Sequence, residues 1–154
     1  MGSARGQANH CLYLGRLLIA AWRRDLAAEI TPATVLAQAY LPAVRAHLRN
    51  AYGWFLLEIT RPGSLPDSPP GCVAELPEVA AGKAVPPEVR EFQQLETAGW
   101  IGEMLSAEVD APAQSAPGNL ATTLVDSIDP QQSQRWAELL QSLFDRMADS
   151  LDEY

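Results

Sequence analysis

Apolar residues recur at three- and four-residue spacing through four stretches of this chain, and each stretch predicts an amphipathic helix. In the first, about 7–28, Cys11, Leu14, Gly15, Leu18, Ala21, Trp22 and Leu26 share one stripe. Gly15, having no side chain, lets a neighbouring helix approach closely there. In the second, 32–59, Leu41, Val44, Leu48, Ala51, Phe55 and Ile59 form the stripe, with Tyr40, His47 and Trp54 on its flank at seven-residue spacing. The joint between them, Glu29-Ile30-Thr31-Pro32, reads as a helix start with Thr31 as N-cap and Pro32 at the first helical position, where its missing N–H costs nothing. So short a joint makes the two helices antiparallel neighbours. Pro42 lies inside the second pattern, removes the bond to Gln38 and predicts a kink or a break there.

The third stretch, 88–108, opens on Glu88 and Glu91, an acidic first turn that suits the helix dipole. Phe92, Leu95, Ala98, Gly99, Gly102, Leu105 and Val109 line one side. Ala98, Gly99 and Gly102 predict a small-residue face for close packing, with Trp100 and Met104 projecting elsewhere. The fourth, 130–150, has Asp129 as N-cap, Pro130 at the first position and the capping-box-like Gln132, followed by a stripe of Trp136, Leu140, Leu143, Met147 and Leu151.

Between these stretches, 61–87 holds seven prolines and three glycines and reads as a long loop, its middle pinned by Val73, Leu76 and Val79. A second loop, 110–128, contains Pro112, Pro117 and Gly118, with a short turn expected at 120–125. Residues 1–6 lack periodicity and are expected to be disordered, and the acidic tail 149–154 to fray. Strict β alternation is missing. The chain therefore reads as one all-α domain, 1–154: a four-helix bundle built on an N-terminal antiparallel helical hairpin, with two long Pro-rich loops.

At 154 residues such a domain buries roughly 70% of its unfolded surface, enough for a core without staples. Cys11 and Cys72, one in a helix and one in a proline-rich loop, lack Cys-x-x-Cys spacing and are expected to be reduced thiols. The apolar run 11–22 is broken by Arg16, followed by Arg23-Arg24 and too short to span a bilayer, so it is read as a core helix and the protein as cytoplasmic, without a membrane partner.

The net charge of -8 is unevenly spread: residues 1–61 carry seven arginines against Asp25, Glu29 and Glu58, a sum of +4, and the remainder carries -12. The simplest account packs the basic hairpin beside acidic helices of its own chain. Ten arginines against the single Lys83 suit a GC-rich bacterial genome better than phosphate recognition, and nucleic acid is not an expected partner.

Candidate chemistry is sparse. Helical bundles hold di-iron sites through paired Glu-x-x-His motifs, but the residues three before His10 and His47 are Gln7 and Val44, so no metal and no cofactor is expected. A turn centred near residue 30 sets residues whose numbers sum to about 60 opposite one another. His10 and His47 then lie about one turn apart near Cys11, without ligand spacing. His47 and Glu58 are eleven residues apart, about 16 Å along a helix, too far for an acid/base dyad. Gly-x-Ser-x-Gly and phosphate-cradling glycine loops are missing. The Arg5 to His10 spacing matches helical nucleases only at the start of the chain, where it reads as chance. The better lead is a basic strip on the hairpin: Arg16 and Arg23 two turns apart, Arg45 and Arg49 one turn apart, with Tyr52 beyond. Its plainer reading is salt bridging to the glutamates of the third helix. Trp54, Trp100 and Trp136 read as core.

Leu12-Tyr13 through Trp22, His47-Leu48, Ala51-Tyr52, Glu58-Ile59 and Ala98-Gly99-Trp100-Ile101 together resemble a family of small uncharacterised helical proteins from gammaproteobacteria, Pseudomonas and relatives. The resemblance spans the first three helices. It implies a helical bundle of unassigned function, with His47, Tyr52, Glu58 and Trp100 as matching polar positions.

Protein contact is the expected mode of action, as an adaptor, accessory or regulatory subunit that binds a protein partner or itself. The alternatives are a phosphate-handling or nuclease-like enzyme using His10, His47 and the arginines, and an acidic protein that masks a basic partner.

Overall fold

The computed structural model describes residues 3–62, 64–76, 86–106 and 130–152, and it is an all-α bundle with no strand among them. Helix α1 spans Ala4–Ala28 and α2 Ala33–Thr60, and the antiparallel pair makes the most extensive helix–helix contact in the fold. Helix α3 spans Pro87–Ala98, α4 Trp100–Ser106 and α5 Pro130–Asp152. Helix α5 packs against both members of the hairpin, and α3 and α4 cover α2 from another side.

Helix α1 starts earlier than its periodicity suggests. Ser3 is its N-cap, the hydroxyl accepting from the Gly6 amide at 2.9 Å, and Ala4 is already buried. Residues 3–6 thus belong to the first turn rather than to a disordered start. The buried line is Ala8, Leu12, Gly15, Ile19 and Trp22, with Cys11, Leu14, Leu18, Ala21 and Leu26 only half-buried, so the predicted stripe is the shoulder of the real one. Apolar residues nearly encircle this helix, and its pattern alone leaves the facing direction open. Gly15 does admit a close neighbour: a Cβ there meets the Leu48 side chain at 3.3 Å.

At the joint, Glu29 adopts the left-handed conformation at φ 54° and its amide bonds the Leu26 carbonyl. Pro32, not Thr31, is the N-cap of α2. Its carbonyl accepts from Val35 and Leu36, both at 3.1 Å, and no side chain caps the end. Pro42 does not break α2, which runs through it. Gln38, whose carbonyl loses its bond, is exposed along with Pro42, so water satisfies the freed group at little cost. The predicted stripe of α2 is buried throughout, and from Ala51 to Leu57 every residue is buried, because here the helix is wrapped on all sides. Arg61 closes it in the left-handed region, its amide on the Leu57 carbonyl at 2.8 Å.

One wrapping element comes from the proline-rich loop. Pro69 and Pro70 cross α2 directly over Gly53, where a Cβ would lie 2.2 Å from the Pro70 carbonyl oxygen and 2.8 Å from the Pro69 Cβ. Only glycine admits so close a crossing. A 3₁₀ turn at Val73–Glu75 follows, and Val73 and Leu76 pack on the core; Val79 lies outside the described residues.

The predicted third helix is two. Gly99 is extended and interrupts it, so that α4 folds back onto the last turn of α3. Gly102 makes this fold-back possible, since a Cβ there would lie 2.2 Å from the Glu96 carbonyl oxygen. The glycines serve a joint within this segment rather than a face for a neighbouring helix. Met104 and Ile101 are fully buried, and Trp100 is half-buried against the core. In α5 Trp136, Leu140, Leu143 and Met147 are buried as their spacing predicts; the Leu151 side chain, Val109, Asp129 and the 110–128 loop lie outside the described residues.

An aromatic cluster joins α2, α3 and α5. Phe55 stacks on Phe144 with centroids 4.1 Å apart, and Phe92 meets Phe55 and Tyr52 edge-on at 6.4 and 5.7 Å. Each such pair adds about 0.5–1.5 kcal/mol beyond the area it buries. No helix among the described residues is long and apolar enough to cross a membrane.

Candidate interaction surface

The contacts across the hairpin set its register. Gly15 meets Leu48 and His47, Trp22 stacks on Tyr40 at 6.1 Å, and Arg5 pairs with Glu58 at 3.2 Å. Opposed residue numbers therefore sum to 62 or 63, slightly beyond the value a turn at residue 30 implies. His47 is half-buried against Gly15, and His10 is exposed. Among the described residues no three His, Cys, Asp or Glu side chains are grouped to hold a metal ion.

The five residues of the predicted basic strip do not form one surface. Helix α2 turns His47 towards α1, and two residues earlier Arg45 points about 160° away round the helix. Arg45 is accordingly half-buried and donates to the Leu105 carbonyl of α4 at 3.4 Å. Arg49, on the same side, lies against Gly71 of the proline loop. Tyr52, next in this row, is fully buried and donates to Glu96 of α3 at 2.5 Å. Glu96 also accepts the Val73 amide at 3.0 Å, tying the 3₁₀ turn to α3. Burial first, and then the bond to Glu96 and its negative charge, push the Tyr52 phenol far above its ordinary range. Arg45 and Tyr52 thus fasten α2 to α4 and α3, and Glu96 carries the tie on to the loop.

Other candidate groups are engaged within the fold. Glu58 is held by Arg5, and the Tyr40 hydroxyl donates to Asp25, which raises its pKa. Arg146 of α5 pairs with Glu91 of α3 at 2.8 Å. Cys11 and Cys72 are free thiols, Cys11 pushed up by burial. Two open clefts, of about 430 and 320 Å³, lie at the junction of α1 and α5 and beside the Glu91–Arg146 pair, and neither collects a catalytic set.

Arg16 and Arg23 are both exposed on α1, and Arg23 lines the cleft that α1 forms with Pro130 and Gln131 of α5. Beside them are Tyr13 at 57% and Leu17 at 48% exposure, two large apolar side chains one turn apart. Further along the hairpin Ile30, at 86%, caps the turn and Val35, at 47%, opens α2. Of the five large hydrophobic residues so exposed among the described ones, only Leu65 lies elsewhere. Sequence reasoning passed over Tyr13 and Leu17. The signal available was an excess of apolar residues round α1 together with the absence of any acidic residue before Asp25.

No protein-family model, curated protein or solved structure matches this chain.

Proposed function

We propose that this bundle acts by protein contact, as an adaptor, accessory or regulatory subunit, and that the hairpin carries the contact surface. The observation behind this is the concentration of exposed large apolar side chains on α1 and the α1–α2 joint, near the exposed Arg16. Arg45, Tyr52, Glu96, Glu58 and Arg146 are engaged in holding helices and loop together. Two free thiols suit a reducing, cytoplasmic setting, and ten arginines against one lysine suit a GC-rich bacterial source.

A tagged full-length chain, its Leu17→Asp variant and a Leu65→Asp control, exposed to native lysate and quantified by mass spectrometry, test this. The expected result is one stoichiometric partner retained by the control and lost with Leu17→Asp. Capture indifferent to Leu17, or a catalytic turnover abolished by His10→Ala or His47→Ala, overturns it.

A further inference from the structure

We infer that residues 69–73 of the proline-rich loop form a latch on α2, which opens as one piece while the helices stay folded and whose catch is Glu96. This latch is independent of the contact role of α1. Burial separates the segment from what it covers. Pro69 to Val73 are each half-buried and 64–68 are exposed, whereas every residue of α2 from Ala51 to Leu57, the stretch it crosses, is buried. The loop covers without being covered. A segment fastened as firmly as the core would bury a side chain of its own fully, yet Val73 and Leu76 only pack at the core's edge. Segments with so few buried contacts open locally, well before the whole domain unfolds.

The hydrogen bonds divide in the same way. Within the segment, the Gly71 amide donates to the Glu75 carboxylate, and the Glu75 and Leu76 amides bond the Cys72 and Val73 carbonyls, both at 3.1 Å. These bonds travel with the segment and make it move as a unit. Towards the helices its hydrogen bond, among the described residues, is that of the Val73 amide to Glu96 at 3.0 Å. Glu96 can let this go without releasing α2, because it keeps the Tyr52 hydroxyl and, being half-buried, takes water in place of the amide.

The remaining tie is the crossing over Gly53, where the Pro70 carbonyl and the Pro69 ring lie against the helix backbone. Contact of this kind is close-range dispersion, and a gap of about 1 Å forfeits up to half of it, so the segment is either seated or gone. Leu56 and Leu57, three and four residues after Gly53, share its face of α2 and are 0% and 1% exposed. Lifting the segment bares apolar surface along this face and frees the Cys72 thiol, while the cluster of Phe55, Phe92 and Phe144 that joins the helices is untouched. The latch thus sets how much of α2 meets solvent.

The test is alkylation of Cys72 by iodoacetamide in the full-length chain, resolved from Cys11 by peptide mass spectrometry, over urea concentrations below the unfolding transition. A segment that opens alone exposes little surface, so the Cys72 rate should lie at least about tenfold below that of a free thiol and be nearly independent of urea. Val73→Pro takes the amide from the catch and leaves Glu96 and Tyr52 in place. Proline suits the position, since Val73 opens the 3₁₀ turn and Cys72 before it is extended. The Cys72 rate should rise about tenfold in this variant, with the helical circular dichroism of the parent. Glu96→Gln, which removes the charge from the catch and keeps its shape, should raise the rate about fivefold and decides the matter if Val73→Pro loses helix. A Cys72 rate that climbs with urea as steeply as global unfolding, a parent rate equal to that of a free thiol, or a rate unmoved by either substitution overturns the latch.

Discussion

The Tyr52 hydroxyl donates to Glu96 at 2.5 Å, and the carboxylate that receives it also accepts the Val73 amide, so one side chain of α3 fastens both α2 and the proline loop. Removing each partner should therefore have unequal consequences. Tyr52→Phe loses one bond and leaves Glu96, half-buried, able to hydrate, at a cost of about 1 kcal/mol. Glu96→Ala strands the buried phenol and releases Val73, and should cost about 2–3 kcal/mol. Urea denaturation measures both, and hydrogen exchange at the Val73 amide should accelerate in Glu96→Ala alone. Equal losses would show that Glu96 does not bridge.

Stability should fall on the alkaline side. Tyr52 has its pKa raised in the fold above the ordinary value of 10, so the folded state holds the phenolic proton more tightly than the unfolded chain. Its contribution is intact below pH about 10 and is lost as the pH rises beyond that. Tyr40, raised by its bond to Asp25, acts with the same sign. Thermal melts between pH 8 and about 11 should show the decline, and Tyr52→Phe should make it shallower.

Gly53→Ala should detach the loop. Helix propensity favours alanine by up to about 1 kcal/mol, but the added Cβ meets backbone at Pro70, which cannot rotate away as a flexible side chain would. The net cost should be about 1–3 kcal/mol. Limited proteolysis should then cut within 64–76 while α2 itself stays helical by circular dichroism.

Pro42→Ala should raise stability by about 1–2 kcal/mol, restoring the bond to Gln38 against a smaller gain in unfolded-chain entropy. The midpoint of urea unfolding checks this, and a decrease would show that Pro42 is needed for the shape of α2.

Phe55→Ala should cost about 3–5 kcal/mol, because it removes the ring shared by Phe144 of α5 and Phe92 of α3 and opens a cavity at the junction of three helices. A melting temperature within a few degrees of the parent would contradict the central place of this cluster.

The hairpin was legible in the order of residues. The stripe Leu41, Val44, Leu48, Ala51, Phe55 and Ile59 and the stripe of α5 are local periodicities, and local periodicity reports the buried face when apolar positions are confined to one side. Around α1 they are not confined. Leu12, Tyr13, Leu14, Leu17, Leu18 and Ile19 lie in one run, and which of them face the core depended on where α2 and α5 came to rest. The same holds for the arginines: Arg45 looks equivalent to Arg16 and Arg23 along the chain, yet α4 comes to lie over Arg45 alone of the three.

Four features of this protein follow from sequence alone: its all-α class, the long helices of the hairpin and of α5, the antiparallel sense of the first pair and the charge contrast between hairpin and remainder. Each depends on backbone propensity, apolar spacing or composition, which act within a few residues or need no position at all. The crossing over Gly53, the fold-back at Gly99 and Gly102, the Tyr52–Glu96–Val73 bridge and the exposure of Tyr13 and Leu17 were decided only in the tertiary structure. Each is a contact, or the lack of one, between segments distant in the chain. A glycine does not announce which backbone will cross it, nor an apolar side chain whether a neighbour will arrive to cover it.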